Sequence, residues 1–306
     1  MKEKVLVIGG SGFIGKAIQK YVIDIGAADS FIFTYNRHDE AIQSNLDSAK
    51  VNLLEIGDAG LLSKSKLAIY VAGNSYHSLA FQDPKRDLEL NVFHLINFME
   101  HFHGSLVMLS SQAIYYGLEG EIRETNDHIP TMPYGLSKRF AEGYANYYLD
   151  RKSLERLWIF RMMYAFGDGE SERRLIPRCA LACSSDKSVT VNGGGKSYLN
   201  PLPSNFVAEI LVKAATSIQA RKDGYFEITN INHREKATVV DIVTSLSKIR
   251  SFDYSLVESG EEWPVKFYGN VDRLENHLRD WGIGFPDLQK SMKDYFLRLV
   301  NDKVKQ

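Results

Sequence analysis

Tyr134 and Lys138 are the residues whose types and spacing most directly suggest chemistry. They lie in Pro133-Tyr134-Gly135-Leu136-Ser137-Lys138, and a separation of four on a helix puts a phenol and an ammonium on one face. A phenol with a pKa of about 10 is a poor base at neutral pH, and bringing it there takes a shift of about three units, worth about 4 kcal/mol. A neighbouring ammonium and the positive ring of an oxidised nicotinamide both favour phenolate, so the pair suits proton transfer coupled to hydride transfer.

A second group of residues suits a dinucleotide. Gly9-Gly10-Ser11-Gly12-Phe13-Ile14-Gly15 follows the apolar run Val5-Leu6-Val7-Ile8 and opens an amphipathic segment. Glycines in that setting allow a tight turn and close approach of the backbone to a pyrophosphate, while the helix start offers free N–H groups. Gly9, Ser11, Gly12, Phe13, Ile14 and Gly15 are therefore assigned to cofactor binding. After the second apolar run the chain reads Thr34-Tyr35-Asn36-Arg37-His38, without the acid that holds ribose hydroxyls in NAD enzymes. Arg37 instead suits a 2′-phosphate, so NADP is the expected cofactor, with NAD as the alternative. His94, His101 and His103 lack a matching carboxylate or cysteine cluster, and Cys179 and Cys183 complete no zinc site, so no metal is implied. The three histidines read as helix-surface or interface residues.

The elements that must position these groups follow from periodicity. Strands are expected at Val5 to Ile8, Phe31 to Tyr35, Val51 to Leu54, Leu67 to Ala72, Ser105 to Ser110 and Leu157 to Arg161. Helices are expected at Phe13 to Ile25, Leu88 to Phe102 and Pro133 to Arg151. That alternation predicts an α/β fold, a Rossmann-type doubly wound parallel sheet with a smaller C-terminal substrate-binding lobe. Residues 1–166 form the cofactor domain, with a returning segment near 199–230; residues 167–198 and 231–306 form the lobe. A further strand is expected at Tyr225 to Thr229, then helices from about Thr238 and over Leu288 to Leu299. With 37 basic against 38 acidic residues, no whole-chain field draws in nucleic acid or an anionic membrane. No apolar run has the length of a membrane span, and the short run at the start is no signal peptide, so a cytoplasmic location is expected. Asn91 to Phe102 is apolar nearly all round, which suggests burial against the sheet and against a second copy in a homodimer.

The glycine spacing, with Phe13-Ile14 before the last glycine, resembles the extended short-chain dehydrogenase/reductase (NAD-dependent epimerase/dehydratase) family. Ser110-Ser111-Gln112-Ala113-Ile114-Tyr115-Tyr116-Gly117 resembles that family's S-S-x-x-V-Y-G block. Counting back from Tyr115 selects Ser111 for the substrate-holding hydroxyl, and counting from Tyr116 selects Gln112. Ser111 is preferred because a hydroxyl can both donate and accept. Asn91-Val92-Phe93 matches the start of the N-V-x-G-T helix, where Asn91 supports a proton relay. Asn52 stands near the family's adenine-contacting aspartate, and Ala72 ends the fourth strand beside the cofactor. Phe160-Arg161-Met162-Met163-Tyr164-Ala165-Phe166-Gly167 looks like L-R-x-x-N-V-Y-G, with Tyr164 where many nucleotide-sugar enzymes have a substrate-contacting asparagine. Gly193 to Leu199 resembles G-x-G-x-x-R-D without its Arg-Asp. Arg173, Arg174 and Arg178 either take over the phosphate contacts or solvate a helix face, and Arg174 and Arg178 are assigned to the substrate with Ser111, Gln112 and Tyr164.

The resemblance implies an NADPH-dependent reductase of a keto-sugar, nucleotide-linked, in which Ser111, Tyr134, Lys138 and Asn91 are catalytic and Lys138 also reaches the cofactor. A nucleotide-sugar 4-epimerase with retained NAD is the alternative. A silent NADP-binding regulatory protein is a third, disfavoured because a pure binder needs no Ser-Tyr-Lys set. Dehydration is not expected, because Gln112 and Ala113 follow Ser111 where dehydratases of the family carry an Asp-Glu pair.

Overall fold

The structure, a computed structural model, describes residues 4–56, 60–185, 188–260 and 264–304. Its strands are β1 (Val5–Ile8), β2 (Phe31–Tyr35), β3 (Asp47–Lys50), β4 (Leu67–Tyr70), β5 (Ser105–Ser111), β6 (Gly120–Ile122), β7 (Arg156–Met162), β8 (Tyr164–Phe166), β9 (Val189–Asn192), β10 (Pro201–Pro203), β11 (Tyr225–Ile231), β12 (Tyr254–Val257) and β13 (Phe267–Gly269). Its helices are α1 (Phe13–Asp24), α2 (Gly60–Lys64), α3 (His77–Gln82), α4 (Pro84–Leu88), α5 (His94–His101), α6 (Pro133–Asp150), α7 (Leu175–Ala182), α8 (Ser204–Ile218), α9 (Val239–Ile249), α10 (Asp272–Asp280) and α11 (Leu288–Val304).

Seven strands form one parallel sheet in the order β11-β7-β5-β4-β1-β2-β3. Alternation in β1 explains its unbroken apolar sequence. Val5 and Val7 pack on one side with α1 and α8, while Leu6 and Ile8 pack on the other with α5 and α6. The chain order reverses between β1 and β4, so the loops after these two strands part and leave a crevice at the sheet's carboxyl edge, where open α/β sheets bind ligands. A separate apolar core joins α7, α9, α11 and β9 in the C-terminal lobe. The segment after α7 returns to the sheet: α8 lies against α1, and β11 pairs with β7. Among the described residues no helix is long and apolar enough to cross a membrane.

Two elements and one residue differ from expectation. The third strand is Asp47–Lys50 rather than Val51 to Leu54, because an edge strand pairs only with β2 and needs no apolar run. Val51, Leu53 and Ile56 come after it and drop into the core beneath. The helix expected from Leu88 to Phe102 is broken by a π-helical turn at Glu89–Phe93, which adds a residue to the turn and resets the faces of α5. His94, expected at the surface or an interface, is consequently buried, and burial lowers its pKa.

Candidate active site

The site forms where β5 ends. Successive side chains of an extended segment point to opposite faces, so Ser111 and Gln112 part company. The Ser111 hydroxyl accepts from the Ala113 N–H at 3.1 Å and is near enough to the Tyr134 phenol to favour its ionised form. Gln112 is buried away from Tyr134, its amide donating to Asn232 Oδ1 at 2.7 Å and to the Arg161 carbonyl at 3.2 Å. That burial speaks against the expectation that Gln112 contacts the substrate, and of the two countings it is Ser111 whose side chain lies on the Tyr134 side.

Pro133 starts α6 in the first turn, where its missing N–H costs nothing, and sets Tyr134 and Lys138 inward. Both are buried, with Lys138 Nζ 5.7 Å from the centre of the Tyr134 ring. Burial raises the Tyr134 pKa; the neighbouring Ser111 hydroxyl opposes this, Asp87 adds to it and Arg174 opposes it. Burial pushes Lys138 down to about 8, against the pull of Asp87 and Glu142.

The π-helical turn aims Asn91 at the same place. Its Nδ2 donates to Asp87 Oδ1 at 2.8 Å and Ser137 Oγ at 3.1 Å, while its buried Oδ1 has no hydrogen-bond partner among the described residues. That oxygen and Lys138 Nζ both face Gly73: a Cβ there would lie 2.6 Å from the first and 3.5 Å from the second, and φ is +127°. Glycine at 73 thus keeps the approach to Lys138 open.

The glycine loop lies at the amino end of α1. Gly9 has φ +91°, and a Cβ on it would come 2.7 Å from the Ala72 N, so Ala72 serves as the wall that the loop packs against. Gly12, the N-cap, is exposed and makes no side-chain cap bond, which leaves first-turn N–H groups free for an anion. Ser11, Phe13, Ile14 and Gly15 complete the loop, which fits a pyrophosphate. Arg37 is exposed just beyond β2. Asn52 lies two residues beyond β3, its Oδ1 accepting from the Leu54 N–H at 3.2 Å.

The opposite wall holds Tyr164, Glu170 and Arg174. The Tyr164 hydroxyl donates to Glu170, and the Arg174 guanidinium lies 4.0 Å over the Tyr164 ring while pairing with Glu170 at 3.1 Å. Burial raises the Glu170 pKa against the opposing pull of Tyr164 and Arg174. The charge of Arg174 reaches both Tyr134 and His77. Arg178 is not brought into this group; it is exposed and donates to the Thr190 carbonyl at 3.2 Å, and Arg173 is exposed as well.

His77 is the functional candidate that sequence reasoning missed. Its ring lies 4.8 Å from that of Tyr134 and edge-on to Tyr116 at 6.0 Å. Its side chain is open to the cleft, yet the surrounding walls, followed by the charge of Arg174, push its pKa down to about 4, against the pull of Asp87. A usable signal existed: His77 comes seven residues after β4, beside the carboxyl edge where ligands bind.

The family model for the NAD dependent epimerase/dehydratase family matches residues 5–230. The GDP-6-deoxy-D-mannose reductase of Pseudomonas aeruginosa is 27% identical over 150 residues, which span 46% of this chain and 46% of that protein, less than half of its length. The dTDP-D-glucose 4,6-dehydratase of Mus musculus is 23% identical over 90% of this chain and 80% of its own. Among solved structures, MoeE5 in complex with UDP-glucuronic acid and NAD superposes with a TM-score of 0.83 at 18% identity, covering 98% of this chain and 99% of that one. The UDP-glucose 4-epimerase from Brucella ovis in complex with NAD does so with a TM-score of 0.80 at 21% identity, covering 97% and 98%.

Proposed function

The chain belongs to the NAD dependent epimerase/dehydratase family, enzymes of the extended short-chain dehydrogenase/reductase type, and from that membership we propose that it reduces a nucleotide-linked keto-sugar with NADPH. The observation that carries this reading is the buried Tyr134 phenol, whose burial favours the protonated form, set beside Ser111 and 5.7 Å from Lys138 Nζ. A protonated phenol in that position is an acid ready to neutralise an alkoxide.

A nicotinamide bound at the glycine loop and reaching Lys138 would supply the hydride. Ser111 would donate to the substrate carbonyl oxygen and fix it against Tyr134. Tyr134 would then give its proton to that oxygen as negative charge develops. Lys138 would lower the cost of the resulting phenolate, and Asn91 Oδ1 offers an acceptor that could hold a water through which a proton is returned. Arg174, locked by Glu170 and Tyr164, presents a cation beside Tyr134 that suits an anionic substrate. The nucleotide-linked substrate also draws on relatives named for GDP- and dTDP-sugars.

Arg37 supports NADPH, being an exposed cation just beyond β2 that suits a 2′-phosphate. A 4-epimerase that retains NAD would use the same Ser111, Tyr134 and Lys138, but has no use for that cation. The apolar residues Phe93, Phe140, Tyr144 and Tyr147 are exposed on and beside α5 and α6, which supports pairing of two copies through these helices.

The test is steady consumption of NADPH in the presence of keto-sugar nucleotides. Tyr134→Phe should lower turnover at least about a hundredfold while leaving cofactor affinity unchanged. Near-normal turnover in that variant, or interconversion of epimers without net NADPH loss, overturns the reading.

A further inference from the structure

A cavity of about 420 Å³ lies on the α1 side of the molecule, between α1, the start of α8 and α11, and none of Ser111, Tyr134, Lys138, His77 or Arg174 lines it. Its volume is within the range of small-molecule sites, about 300–1,000 Å³. Lys16 and Lys20 line it from α1, one helical turn apart; both are exposed, and neither has an ion-pair or hydrogen-bond partner among the described residues. Ser204 lines it as the first residue of the fifteen-residue α8. Ser204 is 6% exposed, and its hydroxyl has no hydrogen-bond partner among the described residues. The first turn of α8 adds N–H groups without intrahelical acceptors and a partial positive charge. On the facing wall, α11 contributes Asp294 and Tyr295, with Arg298 paired to Asp168 at 3.0 Å.

We propose that this cavity is a second ligand site, for a small phosphomonoester that carries hydroxyl groups. Its phosphate lies against Lys16, Lys20 and the Ser204 end of α8, where two free cations, a buried hydroxyl donor and a helix start converge. Its hydroxyls reach Asp294, an acceptor that favours a neutral, hydroxylated far end and repels a second anionic group. Sugar monophosphates and nucleoside monophosphates share this chemistry.

Calorimetric titration of the full chain saturated with NADPH tests the site, with inorganic phosphate, a hexose 1-phosphate and a nucleoside 5′-monophosphate as separate probes. Saturation keeps the probes out of the cofactor loop. At least one organic phosphate is expected to bind more tightly than inorganic phosphate, and whichever of the two does so identifies the source. Lys16→Glu combined with Lys20→Glu should weaken that binding at least about tenfold. Lys16→Arg with Lys20→Arg should retain it, and Asp294→Ala should remove the preference over inorganic phosphate. Arg174→Ala, in the Tyr134 cleft, should leave it unchanged. The lysines are at the surface, and matching thermal unfolding verifies that the variants fold. The proposal is overturned if no probe binds at about 10 mM, if the Lys→Glu pair binds normally, or if Arg174→Ala abolishes binding.

Discussion

Lys138 is pulled in two directions by its environment. Burial drives its pKa down to about 8, while Asp87 and Glu142 keep it from falling further. The ammonium exists below that pH and is lost above it. Reduction should therefore slow as pH rises through about 8, and in Lys138→Arg, whose charge persists, any remaining activity should lack that alkaline limb. A rate profile measured across pH 6 to about 10 decides this. Arg37 bears on selectivity. Losing one charge-assisted pair costs about 1.5–3 kcal/mol, so Arg37→Ala should erase most of a preference for NADP(H). Dissociation constants for both cofactors check it, and tighter binding of NADH by the unaltered protein would refute the preference. Of the residues singled out by spacing or by the family resemblance, Ser111, Tyr134, Lys138 and Asn91 converge, while Gln112 and Arg178 face elsewhere. The Tyr134–Lys138 spacing is local and hence legible. The approach of His77 and Arg174 depends on how two distant loops meet over Tyr134.

At the scale of elements, α6 is tied to the sheet beneath it by ions rather than by apolar packing alone. Glu142, one turn beyond Lys138, accepts from Ser110 Oγ at 2.6 Å and pairs with Arg161 of β7 at 2.6 Å. Both members of the pair are almost completely buried, at 2% and 3% exposure. Arg161 also donates to the Tyr115 hydroxyl at 2.7 Å, which donates to Asn230 Oδ1 of β11 at 2.9 Å. This chain of bonds sets the distance between the end of β5 and the face of α6 that carries Tyr134. Glu142→Gln leaves the Arg161 guanidinium buried without a counter-charge, a loss that typically costs about 3–5 kcal/mol. Urea unfolding should show that destabilisation, and an unfolding midpoint equal to that of the unaltered protein would remove the role given to this pair. Element positions were largely legible because strands buried on both faces read as apolar runs. The third strand was not, since an edge strand carries no such signature, and the π-helical turn was not, since one extra residue leaves no mark in composition.

For the molecule as a whole, two expectations concern assembly and reaction outcome. If two copies pair through α5 and α6, Phe140→Glu should shift the protein towards monomer in light scattering, and an unchanged mass would speak against that surface. Dehydration of an intact hexose nucleotide requires acid and base groups beyond Tyr134, and the residues after Ser111 are an amide and a methyl. Incubation with dTDP-, UDP-, GDP- and CDP-hexoses should yield no product lighter by one water in mass spectrometry. The sequence alone determined the doubly wound sheet, the glycine loop at the head of α1 and the Tyr134–Lys138 face, because each rests on periodicity or spacing within one segment. Tertiary structure decided which side of β5 meets α6, so that Ser111 rather than Gln112 joins Tyr134. It also decided that Arg174 is held by Glu170 over Tyr164, that His77 lies on the Tyr134 ring, and that Lys16, Lys20 and Ser204 share one cavity. These outcomes depend on contacts between residues far apart in the chain, and their energies come from burial and charge that no single segment possesses by itself.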